Sequence, residues 1–180
     1  MRIPKDDSVA VVVDVQERMF PHIRDKERIA QNMVKMIKGL QILEVPILVT
    51  QQYTKGLGET IPEIAEALGD FTPLEKLAFS CIGDSDFTER LIDLKKNRVI
   101  LMGVEAHVCI LQTALDLLTK AFRPIVVEDC VSSRKLNDMQ IAVERMRNEG
   151  TIITTCESIL LELCVVAGTD QFKAISRLIK

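Results

Sequence analysis

Apolar positions along this chain follow two alternating rhythms. Short unbroken apolar runs are separated by longer stretches whose apolar residues recur at helical spacing. The runs are Ser8 to Asp14 (SVAVVVD), Pro46 to Thr50 (PILVT), Leu74 to Lys76, Val99 to Met102, Arg123 to Glu128 (RPIVVE) and Thr151 to Thr154. Each is too short for a helix, and most are rich in β-branched residues, so each is predicted to be a buried strand. Gly103 is expected to end the fourth. Between them, Ile29, Met33, Met36, Ile37 and Leu40 form one helical stripe, and Val108, Leu111, Leu115 and Leu118 form another. Further helices are predicted over Glu63 to Leu68 behind Pro62, from a cap at Asp84 or Ser85 to about Leu94, from Asn137 to Asn148, from Ser158 to Val166, and from Gln171 to Ile179. Thr54 to Thr60 and Asp129 to Arg134 read as loops. Six strands alternating with helices predict a parallel α/β sheet covered on both faces. No repeat or linker interrupts the pattern, so a single domain is expected over residues 1–180.

Composition narrows the function. The formal net charge is −3, and no basic cluster suggests a nucleic-acid partner. No apolar run approaches the ~20 residues of a membrane span. The opening MRIPKDDS lacks the apolar core of an export signal, so a cytoplasmic location is expected. The five cysteines, Cys81, Cys109, Cys130, Cys156 and Cys164, are odd in number and contain no C-x-x-C pair. They read as reduced thiols rather than a disulfide framework or a zinc site. No G-x-G-x-x-G, Walker A or G-x-S-x-G motif is present, which leaves no sign of a dinucleotide, a nucleotide phosphate or a serine nucleophile elbow. No cofactor is expected.

The candidate chemistry lies where topology would gather it. Open α/β sheets bind ligands at the C-terminal edge, where the strand order reverses. In the common order 3-2-1-4-5-6, the first and fourth strands are neighbours at that point. Asp14 ends the first strand, and Cys109 lies a few positions past the fourth, just inside the next helix. A helix N-terminus lowers a thiol's pKa and favours the nucleophilic thiolate, which makes Cys109 a candidate nucleophile; the alternative is a small buried hydrophobe, as most free cysteines are. A carboxylate ending a buried strand must be paired or functional. The two histidines are poor bases: nothing aims His22, and His107 sits two positions from Cys109, a spacing that does not face it. Asp14 is therefore the best-placed base. A carboxylate needs a nearby cation to help hold a thiolate, and Lys76, at the end of the third strand, can supply one.

Three stretches together resemble the isochorismatase-like cysteine hydrolases: VVVDVQERM at Val11 to Met19, the Lys76 region, and GVEAHVCILQTALDLL at Gly103 to Leu118. The last of these and the QQYTKGLGET loop look most like the isochorismatase-domain-containing subgroup. The resemblance implies a three-layer α/β/α, Rossmann-like fold with the six-stranded parallel sheet in order 3-2-1-4-5-6. It implies a catalytic triad of Asp14 as base, Lys76 as electrostatic partner and Cys109 as nucleophile. It further implies a cis peptide between Val104 and Glu105, with the Glu105 and Cys109 N–H groups forming an oxyanion hole. Gln16, matching the family's D-x-Q, is expected to line the pocket, as are Gln51 and Tyr53 at the exit of the second strand. The nicotinamidase branch keeps an Asp and two His for a metal just past that strand. Here the places hold Gln51, Gln52 and Tyr53, so no metal is expected.

The resulting expectation is a metal-independent cysteine hydrolase acting on a small-molecule amide, or less readily an ester, through an acyl-enzyme. The alternatives are a vinyl-ether hydrolase on the same fold and a non-catalytic oligomer that binds ligands or senses redox state. A homo-oligomer, dimer or tetramer, is expected from the resemblance and from the apolar segment Ile159 to Val166.

Overall fold

In the computed structural model, which describes residues 2–180, six parallel strands form one sheet. They are β1 (Ser8–Val13), β2 (Ile47–Gln52), β3 (Leu74–Lys76), β4 (Arg98–Val104), β5 (Arg123–Ser132) and β6 (Ile152–Thr154), in the order β3-β2-β1-β4-β5-β6. The helices are α1 (Lys26–Ile42), α2 (Thr54–Leu57), α3 (Pro62–Leu68), α4 (Ser85–Asp93), α5 (Leu111–Thr119), α6 (Leu136–Asn148), α7 (Cys156–Cys164) and α8 (Asp170–Ile179). A π-helical turn, Ala106–Ile110, leads into α5.

Strand alternation divides the core into two layers. Ala10, Val12, Ile100, Met102, Ile125 and Val127 face α1, α3, α7 and α8. Val9, Val11, Val13, Val99, Leu101 and Val126 face α4, α5 and α6. Helices on both faces explain why β1 is buried at every position and reads as an unbroken apolar run.

The structure departs from the sequence-based expectations in several places. β4 does not stop at Gly103 but continues to Val104. β5 runs on through Asp129 to Ser132, which composition marks as a loop; its second half pairs with β4 beyond a register shift between Leu101 and Gly103. The expected loop after β2 contains α2. Asn137 does not cap α6; that helix begins at Leu136, behind Lys135. Asp84 does cap α4, accepting from the Phe87 N–H. The segment from Ile159 turns its bulk inward: Ile159, Leu160 and Leu163 are buried in the chain's own core, leaving Leu161, Val165 and Val166 outside.

Gly103 pairs with Val13 across the β1–β4 seam. Its φ is +124°, and a Cβ there would sit 2.2 Å from the Val13 carbonyl oxygen. Only glycine meets both demands. This close pairing fixes the seam on which the candidate site sits.

Candidate active site

Four consecutive strands of the sheet each deliver one side chain to the C-terminal edge. Lys76 is the last residue of β3, Gln52 the last of β2, Asp14 follows β1, and Cys109 lies in the π-helical turn after β4. The seam between β1 and β4 is the switch point at which such sheets bind ligands.

Asp14 and Lys76 form a buried ion pair, with Nζ 2.6 Å from Oδ2 and both side chains almost wholly out of solvent. Burying charge is costly unless it is paired and hydrogen-bonded, and both conditions hold. The Thr50 hydroxyl donates to the other Asp14 oxygen at 2.7 Å. Lys76 also donates to the Ala78 and Phe79 carbonyls, at 3.1 and 3.0 Å, and to Gln52 Oε1 at 3.2 Å. Asp14 has a φ of 53°, in the left-handed region that Asp and Asn enter most readily among side-chain-bearing residues.

The Cys109 thiol donates to the same Gln52 Oε1 at 3.3 Å. One amide oxygen thus joins the thiol to the ammonium. Gln52 is held in this orientation by its own Nε2, which donates to the Leu77 carbonyl at 3.1 Å. Burial first, and then the Asp14 carboxylate, push the Cys109 thiol well above its ordinary range, with Lys76 opposing. The expectation of a lowered thiol pKa is therefore corrected. Lys76 does not outweigh burial and Asp14, so the protonated thiol is favoured. Burial also bears on Lys76, pulling its pKa down, but the Asp14 carboxylate opposes this and the pKa stays above 10.5.

A cavity of about 270 Å³ opens at Cys109. Met19, Leu57, Phe79 and Val108 give it apolar walls, and Gln52, Glu105 and Arg134 supply the polar groups. The Val104–Glu105 peptide is cis. One Glu105 carboxylate oxygen accepts from the Arg134 backbone N–H at 3.0 Å and from its Nε at 3.1 Å. His107 does not approach the thiol as a base; its Nδ1 lies 2.9 Å from the buried Ser133 hydroxyl.

The structure brings Asp14, Lys76 and Cys109 together and puts Glu105 beside them. It does not bring Gln16, Gln51 or Tyr53 to the cavity wall. Gln16 is a fully buried brace, accepting from the Gln52 N–H and donating to the Gln52 and Gly58 carbonyls. Gln51 points to the other side of β2, donating to Glu59 and Thr60. Tyr53, with a φ of 40°, is half exposed with its ring against Gly56. The residue that sequence reasoning missed is Gln52. Strand alternation puts Gln52, and not Gln51, on the side of Thr50; that this side is the site's is given by the contact between Thr50 and Asp14. Among the described residues, no three His, Cys, Asp or Glu side chains cluster closely enough to hold a metal ion.

A parallel sheet with a cysteine, a lysine and a carboxylate gathered at its switch point defines a hydrolase fold of the isochorismatase type. Residues 8–158 match the family model of the isochorismatase domain, and the chain belongs to the isochorismatase family. It is 38% identical to isochorismatase domain-containing protein 2A of Mus musculus over 181 residues, covering 99% of this chain and 85% of the mouse protein. Among solved structures, the MAR1 ribonuclease of Caenorhabditis elegans is 38% identical, with a TM-score of 0.92 over 99% of this chain and 92% of that one. The YcaC gene product of Escherichia coli, an octameric hydrolase of unknown specificity, shares the fold at 21% identity and a TM-score of 0.93, over 99% of this chain and 89% of that one.

Proposed function

We propose that this protein is a cysteine hydrolase that cleaves a small-molecule amide, or less readily an ester, through a Cys109 acyl-enzyme. The observation that carries this reading is the hydrogen-bonded chain from Cys109 and Gln52, which line a small cavity, through Lys76 to Asp14. A neutral resting thiol needs a base at the moment of attack, and Asp14 is the carboxylate whose charge the thiol feels most. Asp14 takes the thiol proton while Lys76 holds the charge that develops on sulfur. The thiolate attacks the carbonyl carbon, and the oxyanion rests on the backbone N–H groups of Glu105 and Cys109. The proton on Asp14 passes to the leaving amine as the C–N bond breaks. Water, deprotonated by Asp14, then attacks the thioester; the acid leaves, and the proton returns to the thiol. Gln16, Gln51 and Tyr53 act behind the site, shaping the end of β2 instead of touching substrate. No step in this scheme calls for a metal ion or cofactor.

Supporting the small-substrate reading, 270 Å³ admits a molecule of few heavy atoms. The test is turnover of a panel of primary amides and matched esters. Activity that disappears in Cys109→Ala, with an acylated Cys109 trapped by rapid quenching and mass spectrometry, is the expected result. Turnover by Cys109→Ala overturns it.

The C. elegans protein is named a ribonuclease, which makes RNA a second substrate to test. Against it stand the net charge of −3 and the apolar walls. Cleavage of an RNA oligonucleotide that is lost in Cys109→Ala would replace the amide reading. We further propose a cytoplasmic homo-oligomer; Leu161, Val165 and Val166, exposed at the end of α7, support self-association.

A further inference from the structure

We propose that Cys130 and Cys156 are a reversible oxidation site, a thiol pair that hydrogen peroxide converts to a disulfide fastening α7 to β5. Hydrolysis as proposed above uses Cys109 alone, so this chemistry is separate from it and stands without it.

The five cysteines are all free thiols in the structure. Cys130 lies in the second half of β5, and Cys156 is the first residue of α7. Two side chains bind these segments together. The Asp129 carboxylate, one residue before Cys130, accepts from the Cys156 backbone N–H at 2.8 Å. Asn32, on α1, holds both: its Nδ2 donates to the Asp129 carbonyl at 2.9 Å, and its own carbonyl accepts from the Cys156 thiol at 3.7 Å. Cys130 and Cys156 are buried in the same layer of the core. Burial first, and then a hydrogen bond between the two thiols, raise Cys130 well above its ordinary range. The other three thiols turn elsewhere: Cys81 donates to the Thr50 hydroxyl, Cys109 to Gln52 and Cys164 to the Val166 carbonyl. Two sulfurs already in contact need little backbone movement to be bridged.

Exposure sets the order of events. Cys156 keeps 4% of its surface and Cys130 none, so peroxide meets Cys156 first. The Cys156 sulfur attacks one peroxide oxygen, the O–O bond breaks, and a sulfenic acid and one water form. The Cys130 sulfur then attacks the Cys156 sulfur. The S–O bond breaks, and the departing hydroxide takes the Cys130 proton as a second water. Two thiols and one peroxide thus give one disulfide and two waters. A protonated Cys130 is a poor nucleophile toward ordinary disulfides. The pair therefore stays reduced until Cys156 becomes a sulfenic acid, which condenses with a thiol. The bond closes a loop through α6 and β6, and such closure restricts the unfolded chain.

The native protein is treated with hydrogen peroxide, blocked with N-ethylmaleimide in denaturant and digested without reductant. Cleavage after Glu157 separates Cys156 from Cys164, so mass spectrometry can assign the bridge. The expected product is a Cys130–Cys156 crosslink, removed by dithiothreitol and formed equally fast in Cys109→Ala. Cys130→Ala should leave Cys156 carrying an added oxygen, whereas Cys156→Ala should leave Cys130 unoxidised over the same time. The crosslinked protein should unfold at higher urea and revert on reduction. The inference is overturned if another cysteine pairing predominates, or if no bridge forms by the time Cys109 is fully oxidised. Crosslinking no faster in native buffer than in urea overturns it, as does a bridge that needs Cys109 or one that lowers the urea midpoint. Oxidation of Cys130 in Cys156→Ala as fast as in the native chain also overturns it.

Discussion

The amide oxygen of Gln52 lies 3.3 Å from the Cys109 sulfur, and that oxygen is the acceptor which the resting thiol uses. An oxygen so placed favours the protonated thiol and resists the thiolate. Replacing it with a carboxylate strengthens that resistance. Gln52→Glu should slow alkylation of Cys109 by iodoacetamide about tenfold or more and move the rate profile to higher pH. Peptide mapping of labelled protein over a pH series measures both, and an unchanged profile would remove Gln52 from the site.

Lys76 and Asp14 support each other with both side chains almost wholly out of solvent. Lys76→Met leaves Asp14 buried with the Thr50 hydroxyl as its remaining described side-chain partner. Breaking such a pair costs about 3–5 kcal/mol. The double variant Lys76→Met with Asp14→Asn should lose clearly less than the sum of the two single losses. Urea unfolding of the four proteins gives the comparison, and additivity would mean the ion pair is not the coupling seen in the structure.

Stability should fall at alkaline pH. Burial raises the Cys81 thiol from 9.0 to about 11 in the fold. The unfolded chain therefore releases this proton first, and the stabilisation is complete below pH 9 and lost as pH rises toward 11. Cys109, raised from the same 9.0 and further, loses stabilisation over this window and beyond it, and Lys76, held above 10.5, changes stability in the same direction above that value. The Cys81 contribution is on the order of 2 kcal/mol. Urea midpoints near pH 8 and near pH 10.5 should differ less in Cys81→Ser than in the native chain. Equal differences would show that Cys81 titrates alike in both states.

Gly103→Ala should be severely destabilising. The added methyl collides with the Val13 backbone, which cannot move without parting β1 from β4, and the φ of +124° is strained for alanine. A loss of about 3 kcal/mol or more is expected, seen as a lowered thermal midpoint or as insoluble protein. A variant within half a kilocalorie, on the order of measurement error for surface changes, would mean that the seam is looser than it stands here.

Hydrolysis should persist after exhaustive EDTA or phenanthroline treatment and desalting, because thiol, base and oxyanion donors all come from the chain. Activity lost on chelation and restored by zinc, iron or magnesium would reverse this.

Much of the fold was legible because β1, β4 and the first half of β5 are buried on both faces and therefore apolar without interruption. The strand ends were harder. Val131 and Ser132 belong to β5 although the stretch from Asp129 suits a loop, since backbone pairing with Gly103 and Val104 of β4, which no side chain announces, holds them. Asp14 and Cys109 could be placed on one crevice from topology alone. Lys76 could not: a lysine ending a three-residue strand reads as a surface residue until the partner that neutralises it is known. The parity of Gln51 and Gln52 was readable but depended on where β2 ends, and the apolar run stops at Thr50, two residues early. The thiol's raised pKa was invisible because it comes from depth of burial, which sequence position near a helix terminus does not report.

The seam at Gly103 also separates what this molecule can change from what it cannot. Amides in the centre of β1 and β4 are expected to exchange with solvent deuterium only when the whole domain opens, and Asp14 and Cys109 are attached directly to that slow-exchanging centre. The segments that supply Leu57 and Phe79 belong to short connections at the sheet's rim and should exchange through local opening. Drift in those connections would then retune which molecule enters while leaving the unfolding free energy nearly untouched, whereas drift at the seam would be eliminated as unfolded protein before its effect on chemistry could be tested.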